Sequence, residues 1–220
     1  MAEDDGKATQ HYFSKAPVKG GRKYALRLEI RGQRIELSSF SGLFSKKRVD
    51  LGTEVLIESI ILPDAGEALD MGCGCGIIGI AVAKTRRRLK VTMVDVNPMA
   101  VKLAQDNLED NCVSNAVALE SDLYSALEGK TYDVIFSNPP LAAGYKVIFP
   151  LIEGAAEHLN EGGSLQIVLR KGVNAIPKKM EEVFGNVELI ARRSGYKVFR
   201  SIKGSSPASP KSSAEKHKAK

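Results

Sequence analysis

Three carboxylates and an amide, Asp70, Asp95, Asp122 and Asn138, each close or directly follow a hydrophobic run. Asp70 opens the series Asp70-x-Gly72-x-Gly74-x-Gly76-x-x-Gly79, which leads into a second apolar stretch. Glycine lets a ligand approach the backbone, and N–H groups at a helix start favour electron-rich ligand groups, so the pattern predicts a nucleotide-type cofactor site. Asp95 follows at about the ~20 residues expected of a carboxylate that accepts from ribose hydroxyls. Asp122 is placed to accept from an adenine amine, and a helix-cap role reads equally well. Asp70 either holds the loop or meets a cofactor ammonium. Cys73 and Cys75 sit inside the turn, where two thiols without further ligands cannot complete a zinc tetrahedron. They read as small turn residues whose backbone faces the ligand, and no metal is expected.

Asn138-Pro139-Pro140 separates the possible chemistries. Two prolines stiffen the chain, remove their own N–H donors and leave exposed carbonyls, while Asn138 adds an amide oxygen. Such a corner holds a planar NH2 group through both hydrogens and aims the nitrogen lone pair at an electrophile. A hydride-transfer enzyme has no use for it. Without a ligand the same residues make a rigid turn.

Stepping from these residues to the elements that carry them, alternating strand and helix patterns predict a mostly parallel, doubly wound α/β sheet with ligands at the carboxyl ends of its strands. Strands are expected at 67–71, 90–95, 116–120, 132–137 and 164–169, with a terminal hairpin over 187–191 and 196–202. Helices are expected at 52–61, 76–84, 98–111, 146–159 and 178–184, with a short one over 123–127. Upstream, Tyr24, Leu26, Leu28 and Ile30 alternate, Arg31-Gly32-Gln33 turns, and Ile35 and Leu37 resume, which predicts a β-hairpin. Its other face, with Lys23, Arg27, Glu29 and Arg34, suits solvent or a nucleic-acid backbone. The organisation is therefore a basic hairpin extension over 1–50, a catalytic domain over 51–202 and a disordered basic tail over 203–220.

Net charge is +6, and residues 15–48 carry ten Lys/Arg against two Glu while 203–220 carry five Lys against one Glu. The body between is slightly acidic, so the positive charge sits at both ends, an arrangement that suits a polyanion or simply solvated ends. Apolar runs fall far short of the ~20 residues that span a bilayer. A soluble, cytoplasmic protein with no membrane partner is expected.

Together the glycine series, Asp95, Asp122 and Ser137-Asn138-Pro139-Pro140 resemble the class I S-adenosylmethionine-dependent methyltransferases, in the "methyltransferase small domain" branch that holds ribosomal RNA guanine-N2 methylases. The likeness covers about residues 40–202 and includes Gly42-Leu43-Phe44-Ser45, Asp50-x-Gly52-Thr53, His158-Leu159-Asn160-Glu161-Gly162-Gly163 and Gly195-Tyr196-Lys197-Val198-Phe199-Arg200. It implies a Rossmann-like, seven-stranded sheet with an antiparallel final hairpin, S-adenosylmethionine (SAM) over the glycine turn, and methyl transfer to an exocyclic amine of a base in ribosomal or transfer RNA. Guanine N2 leads and adenine N6 follows. Carried over, Gly72, Cys73, Gly74 and Gly76 take the methionine end, Asp95 the ribose, Asp122 the adenine amine, and Asn138, Pro139 and Pro140 the target amine. Thr53, Asp70, Val96 and Leu123 lie beside them in the cofactor site. Many relatives place an aromatic residue after the prolines; here Leu141 stands, so base stacking falls to Phe13, Phe44 or Tyr145. The bacterial ribosomal enzymes also carry a second, degenerate copy of the domain, and this chain has one copy. Protein glutamine methylation and a non-catalytic SAM- or RNA-binding module are the alternatives.

Overall fold

A computed structural model describes residues 23–40, 49–139, 144–170 and 174–204. The hairpin forms as expected: strand β1 (Lys23–Ile30) pairs antiparallel with β2 (Gln33–Phe40) through Arg31-Gly32. Helix α1 (Leu51–Ser59) leads into strand β3 (Gly66–Met71), helix α2 (Ile77–Thr85), strand β4 (Leu89–Asp95), helix α3 (Pro98–Asp110) and strand β5 (Ala116–Glu120). Strand β6 (Tyr132–Ser137), helix α4 (Tyr145–His158), strand β7 (Leu159–Arg170), helix α5 (Ala175–Phe184) and the hairpin β8 (Glu188–Arg193) and β9 (Tyr196–Ile202) follow.

The main sheet has seven strands in the order β5-β4-β3-β6-β7-β9-β8, parallel except for β9 and β8. From β3 the chain winds outward through β4 and β5, then returns to β6 on the other side of β3. That reversal opens a crevice at the carboxyl ends of the strands, where doubly wound folds bind ligands. Apolar side chains of α1, α2, α3 and the hairpin fill one face of the sheet, and those of α4 and α5 fill the other.

The hairpin is a separate two-stranded sheet whose apolar face joins that first core: Leu26, Ile30, Ile35 and Leu37 are buried. Two asparagines one turn apart, Asn107 on α3 and Asn111 at its C-cap, bind it. Asn107 and Asn111 each accept from a backbone N–H and donate to the C=O of the same residue of β2, Ser38 and Glu36 respectively, as a neighbouring strand would. On the outer face Arg27 pairs with Glu36 at 3.1 Å and Glu29 stands opposite Arg34. The charges there balance across the strands, which favours solvent over phosphate at this face.

Three elements differ from the sequence expectation. Helix α5 starts at Ala175 rather than Lys178, since Pro177 fits its first turn. Residues 123–127 make turns rather than a helix, because Leu123 takes a left-handed φ of 51° that a right-handed helix cannot include. Strand β7 starts at Leu159, not Ser164, pairing Tyr132 with Leu159 and shifting register before Ser164 meets Val134. Lys203 also belongs to the fold: its backbone exchanges bonds with Gly162 and Gly163, and its Nζ donates to the Leu159 carbonyl at 2.7 Å. At about 1 kcal/mol for each of these three bonds, a chain stopped after Ile202 is expected to melt about 6–12 °C below one stopped after Gly204, measured by circular dichroism. No helix among the described residues is long and apolar enough to cross a membrane.

Candidate functional site

A cavity of about 620 Å³ opens at the carboxyl ends of β3, β4, β6 and β7. Of the residues singled out in the sequence, Thr53, Gly72, Cys73, Gly74, Asp95, Val96, Asp122, Leu123, Asn138 and Pro139 line it. Residues more than eighty positions apart are thus brought around one space. Phe13, Phe44, Pro140 and Leu141 lie outside the described residues.

Three expected site residues sit elsewhere. Asp70 alternates with Leu69 and Met71 along β3, so it points to the α2 face, fully buried, where its Oδ2 accepts from the Gly79 N–H at 2.8 Å. It holds the loop rather than facing the cavity. Gly76 caps α2 at a φ of 86°, and a Cβ there would touch Ala104, Met93 and Ile80, so its surroundings are core. Tyr145 lies outside the lining, half exposed on the first turn of α4 and stacked on Phe149.

The glycine turn is built by its own hydrogen bonds. Gly72 and Cys73 both donate to the Val94 carbonyl, Gly74 to Asp95 Oδ2, Gly76 to the Cys73 carbonyl and Gly79 to Asp70. Five N–H groups are therefore spent inside the protein instead of being offered to a phosphate. At Gly72 the φ is 74° and a Cβ would meet nothing within 4 Å, so a ligand can lie directly over this backbone. Asp95 also accepts the Asn97 N–H at 2.9 Å and so ties the turn to the start of α3. Burial pushes the Asp95 carboxyl up and Asp70 up to about 7; the Cys75 thiol rises to about 12 and Cys73 rises well above its ordinary value. The turn joins an accessible backbone to two carboxyls, which suits a cation-bearing nucleoside better than a pyrophosphate.

Asp122 is exposed at the rim, and its side chain caps no helix. Next to it Leu123 holds its left-handed conformation and lines the cavity, with its carbonyl accepting from Ser121 Oγ at 2.7 Å. Backbone strain of this kind tends to persist where surroundings hold a segment for function. Val94, Val96, Ile77 and Ile78 line the cavity with Leu123 and make that part of the wall apolar.

Across the cavity Asn138 ends β6. Its Nδ2 donates to Asp50 Oδ2 at 3.0 Å and to Thr53 Oγ1 at 2.9 Å. A carboxylate can only accept, so the amide nitrogen must face Asp50 and the amide oxygen is left for the cavity. Asp50 caps α1, taking the Thr53 N–H at 3.2 Å, and receives the Tyr196 hydroxyl at 3.2 Å. Sequence reading assigned no role to Asp50, Arg170 or Tyr196. All three line the cavity: the pairing of β7 with β9 sets Arg170 beside Tyr196, and Asp50 comes there as the cap of α1. Among the described residues no cluster of three or more metal-ligating side chains occurs.

Comparison with known proteins agrees with this geometry. The profile of the family described as methyltransferase small domain matches residues 34–200. The chain is 37% identical over 199 residues to the Bacillus subtilis uncharacterized protein YbxB, covering 89% of this chain and 99% of that one. It is 36% identical to ribosomal RNA small subunit methyltransferase C of Haemophilus influenzae, covering 76% of this chain and 51% of the relative. A T. thermophilus 16S rRNA N2 methyltransferase solved with AdoMet and guanosine superposes with a TM-score of 0.75 at 27% identity, covering 86% of this chain and 52% of that one. The chain thus spans about half the length of the ribosomal RNA methyltransferases it matches and nearly all of the Bacillus protein.

Proposed function

The chain belongs to the methyltransferase small domain family, and from that premise we propose that it methylates the exocyclic N2 amine of a guanine in ribosomal RNA, with SAM as donor. The observation that carries this reading is the Asn138 amide, whose nitrogen is tied to Asp50 and Thr53 so that its oxygen serves the cavity. Guanine N2 fits such an acceptor because it brings two hydrogens and needs its lone pair left free.

SAM supplies an electrophilic methyl group on a sulfonium. Thr53, Gly72, Cys73, Gly74 and Asp95 are the residues proposed to hold its amino-acid and ribose parts, with Val96, Asp122 and Leu123 around the adenine. Asp70 and Gly76 support the turn from behind. For the acceptor, Asn138 Oδ1 takes one amine hydrogen and the Pro139 carbonyl the other. Holding the reacting atoms in line accounts for up to about 7–11 kcal/mol of barrier lowering. As positive charge develops on the amine nitrogen the two acceptors stabilise it, an interaction that strengthens in the transition state. Roles on the substrate side for Tyr145, and for Pro140, Phe44 and Leu141 outside the described residues, belong to the same proposal. In this reading residues 51–202 carry the chemistry, 1–50 extend them and end on Asp50 at the edge of the site, and the basic tail proposed for 203–220 starts beyond Lys203, which the fold retains.

Incubating the protein with methyl-labelled SAM and separate pools of ribosomal RNA, transfer RNA and protein tests the proposal. Label in N2-methylguanine of ribosomal RNA is expected; label in protein alone points to glutamine, and no label with intact SAM binding points to a binding module. Arg170 adds a second test. It is exposed at the mouth of the cavity and forms no ion pair among the described residues. We assign it a phosphate near the target nucleotide, so Arg170→Ala should weaken RNA binding several-fold and lower the slope of log affinity against log salt by about 1. An unchanged slope rejects that role.

A further inference from the structure

Asp50 enters the sequence likeness only as the first residue of Asp50-x-Gly52-Thr53 and carries no role there, yet four hydrogen bonds meet on it. Oδ2 accepts from the Thr53 N–H and from Asn138 Nδ2, and Oδ1 accepts from the Tyr196 hydroxyl; its backbone carbonyl takes the Glu54 N–H. The three side-chain partners come from α1, the end of β6 and the start of β9, far apart in sequence. Gly52 makes the meeting possible, since a Cβ there would lie 2.7 Å from the Tyr196 ring and 2.8 Å from Asp50 Oδ2. Burial and the adjacent Asp50 carboxylate push the Tyr196 phenol up, so it stays protonated and donates.

We infer that Asp50 is the positioning residue of the reaction, fixing the Asn138 amide with its oxygen toward the target amine. An asparagine amide is nearly symmetric in shape, and without a partner that discriminates nitrogen from oxygen it can turn over. Turned over, it would present N–H donors to an amine that also donates, and the acceptor the reaction needs would be gone. Thr53 alone cannot prevent this, because a hydroxyl accepts or donates equally well. Asp50 can only accept, so it admits one orientation. Tyr196 and the Thr53 N–H hold the carboxylate itself in place.

This inference rests on the methyltransferase reading, and its test separates the two. Asp50→Ser keeps the helix cap, because Ser caps as well as Asp, but its shorter hydroxyl both donates and accepts and so fixes no amide orientation; Asp50→Ala removes both roles. Hydrogen exchange of the Asn138 side-chain NH2, followed by nitrogen-15 NMR, needs no turnover. Slow exchange is expected in the wild type and fast exchange in Asp50→Ala, and fast exchange in the wild type overturns the proposal even if the enzyme methylates RNA. In turnover assays Asp50→Ala is expected to lose about 100-fold in kcat while the SAM dissociation constant stays within about threefold. Asp50→Ser, which keeps the cap but cannot fix the amide, is expected to fall as far in kcat as Asp50→Ala and to show the same fast exchange at Asn138. Wild-type kcat with slow exchange in Asp50→Ser means that Asp50 is only a helix cap and overturns the assignment. Should the wild type methylate no RNA while its Asn138 amide is protected, the substrate reading fails and the positioning of Asn138 by Asp50 stands.

Discussion

Asn138→Ala is expected to lower kcat about 100- to 1,000-fold while leaving the SAM dissociation constant within about threefold. The magnitude follows from losing one preorganised partner of a charge that develops only in the transition state, which typically costs ~2.7–4 kcal/mol. In the proposed arrangement the cofactor rests on the glycine turn and Asp95, which line the same cavity as Asn138, so its ground-state binding is spared. The fold is spared too, since Asp50 keeps the Thr53 N–H and the Tyr196 hydroxyl as partners when the amide is removed. Single-turnover rates with saturating SAM, alongside calorimetric SAM binding, separate the two effects. Turnover close to the wild type, or a loss confined to KM, removes Asn138 from the chemistry and with it the assignment of the target amine.

The residues that were legible in the sequence are those whose meaning is local. Asp70, Asp95 and Asn138 end runs of apolar residues, and a parallel sheet places the ends of successive strands along one edge. Asn97-Pro98 reads directly as a helix start, and the structure shows Asn97 capping α3. What could not be read is the convergence of Asp50 with Asn138 and Tyr196, 88 and 146 positions away. That contact depends on β9 returning antiparallel beside β7, a pairing no local period encodes. The orientation of Asp70 was available in principle: two-residue alternation along β3 sets it on the face opposite Leu69 and Met71. The turns after Asp122 were not, because a left-handed leucine contradicts its own propensity and is held by its surroundings.

Asp70→Asn is expected to change how stability depends on pH more than it changes stability at any one pH. Buried without a bond to its Oδ1, the carboxyl stands at about 7 against an ordinary 3.8, a difference worth roughly 4 kcal/mol. Desolvation is the main cause, opposed by the Gly79 N–H and reinforced by Asp95. Between those two pH values the folded protein holds a proton that the unfolded chain has released. The contribution is therefore complete below about pH 4, falls as pH rises, and is gone above about pH 7. In the variant this loss is absent, so its stability relative to the wild type should improve by up to roughly 4 kcal/mol from pH 4 to pH 8, read from urea unfolding. Asp95 is raised by burial as well and keeps a residual slope in both proteins. The same carboxyl bears on the cofactor. A cation at the turn favours the ionised form, so SAM binding by the wild type should release protons and tighten as pH rises from 5 to 7. Asp70→Asn should flatten that dependence, and equal profiles for the two proteins would mean that Asp70 shapes the turn without sensing the charge bound over it.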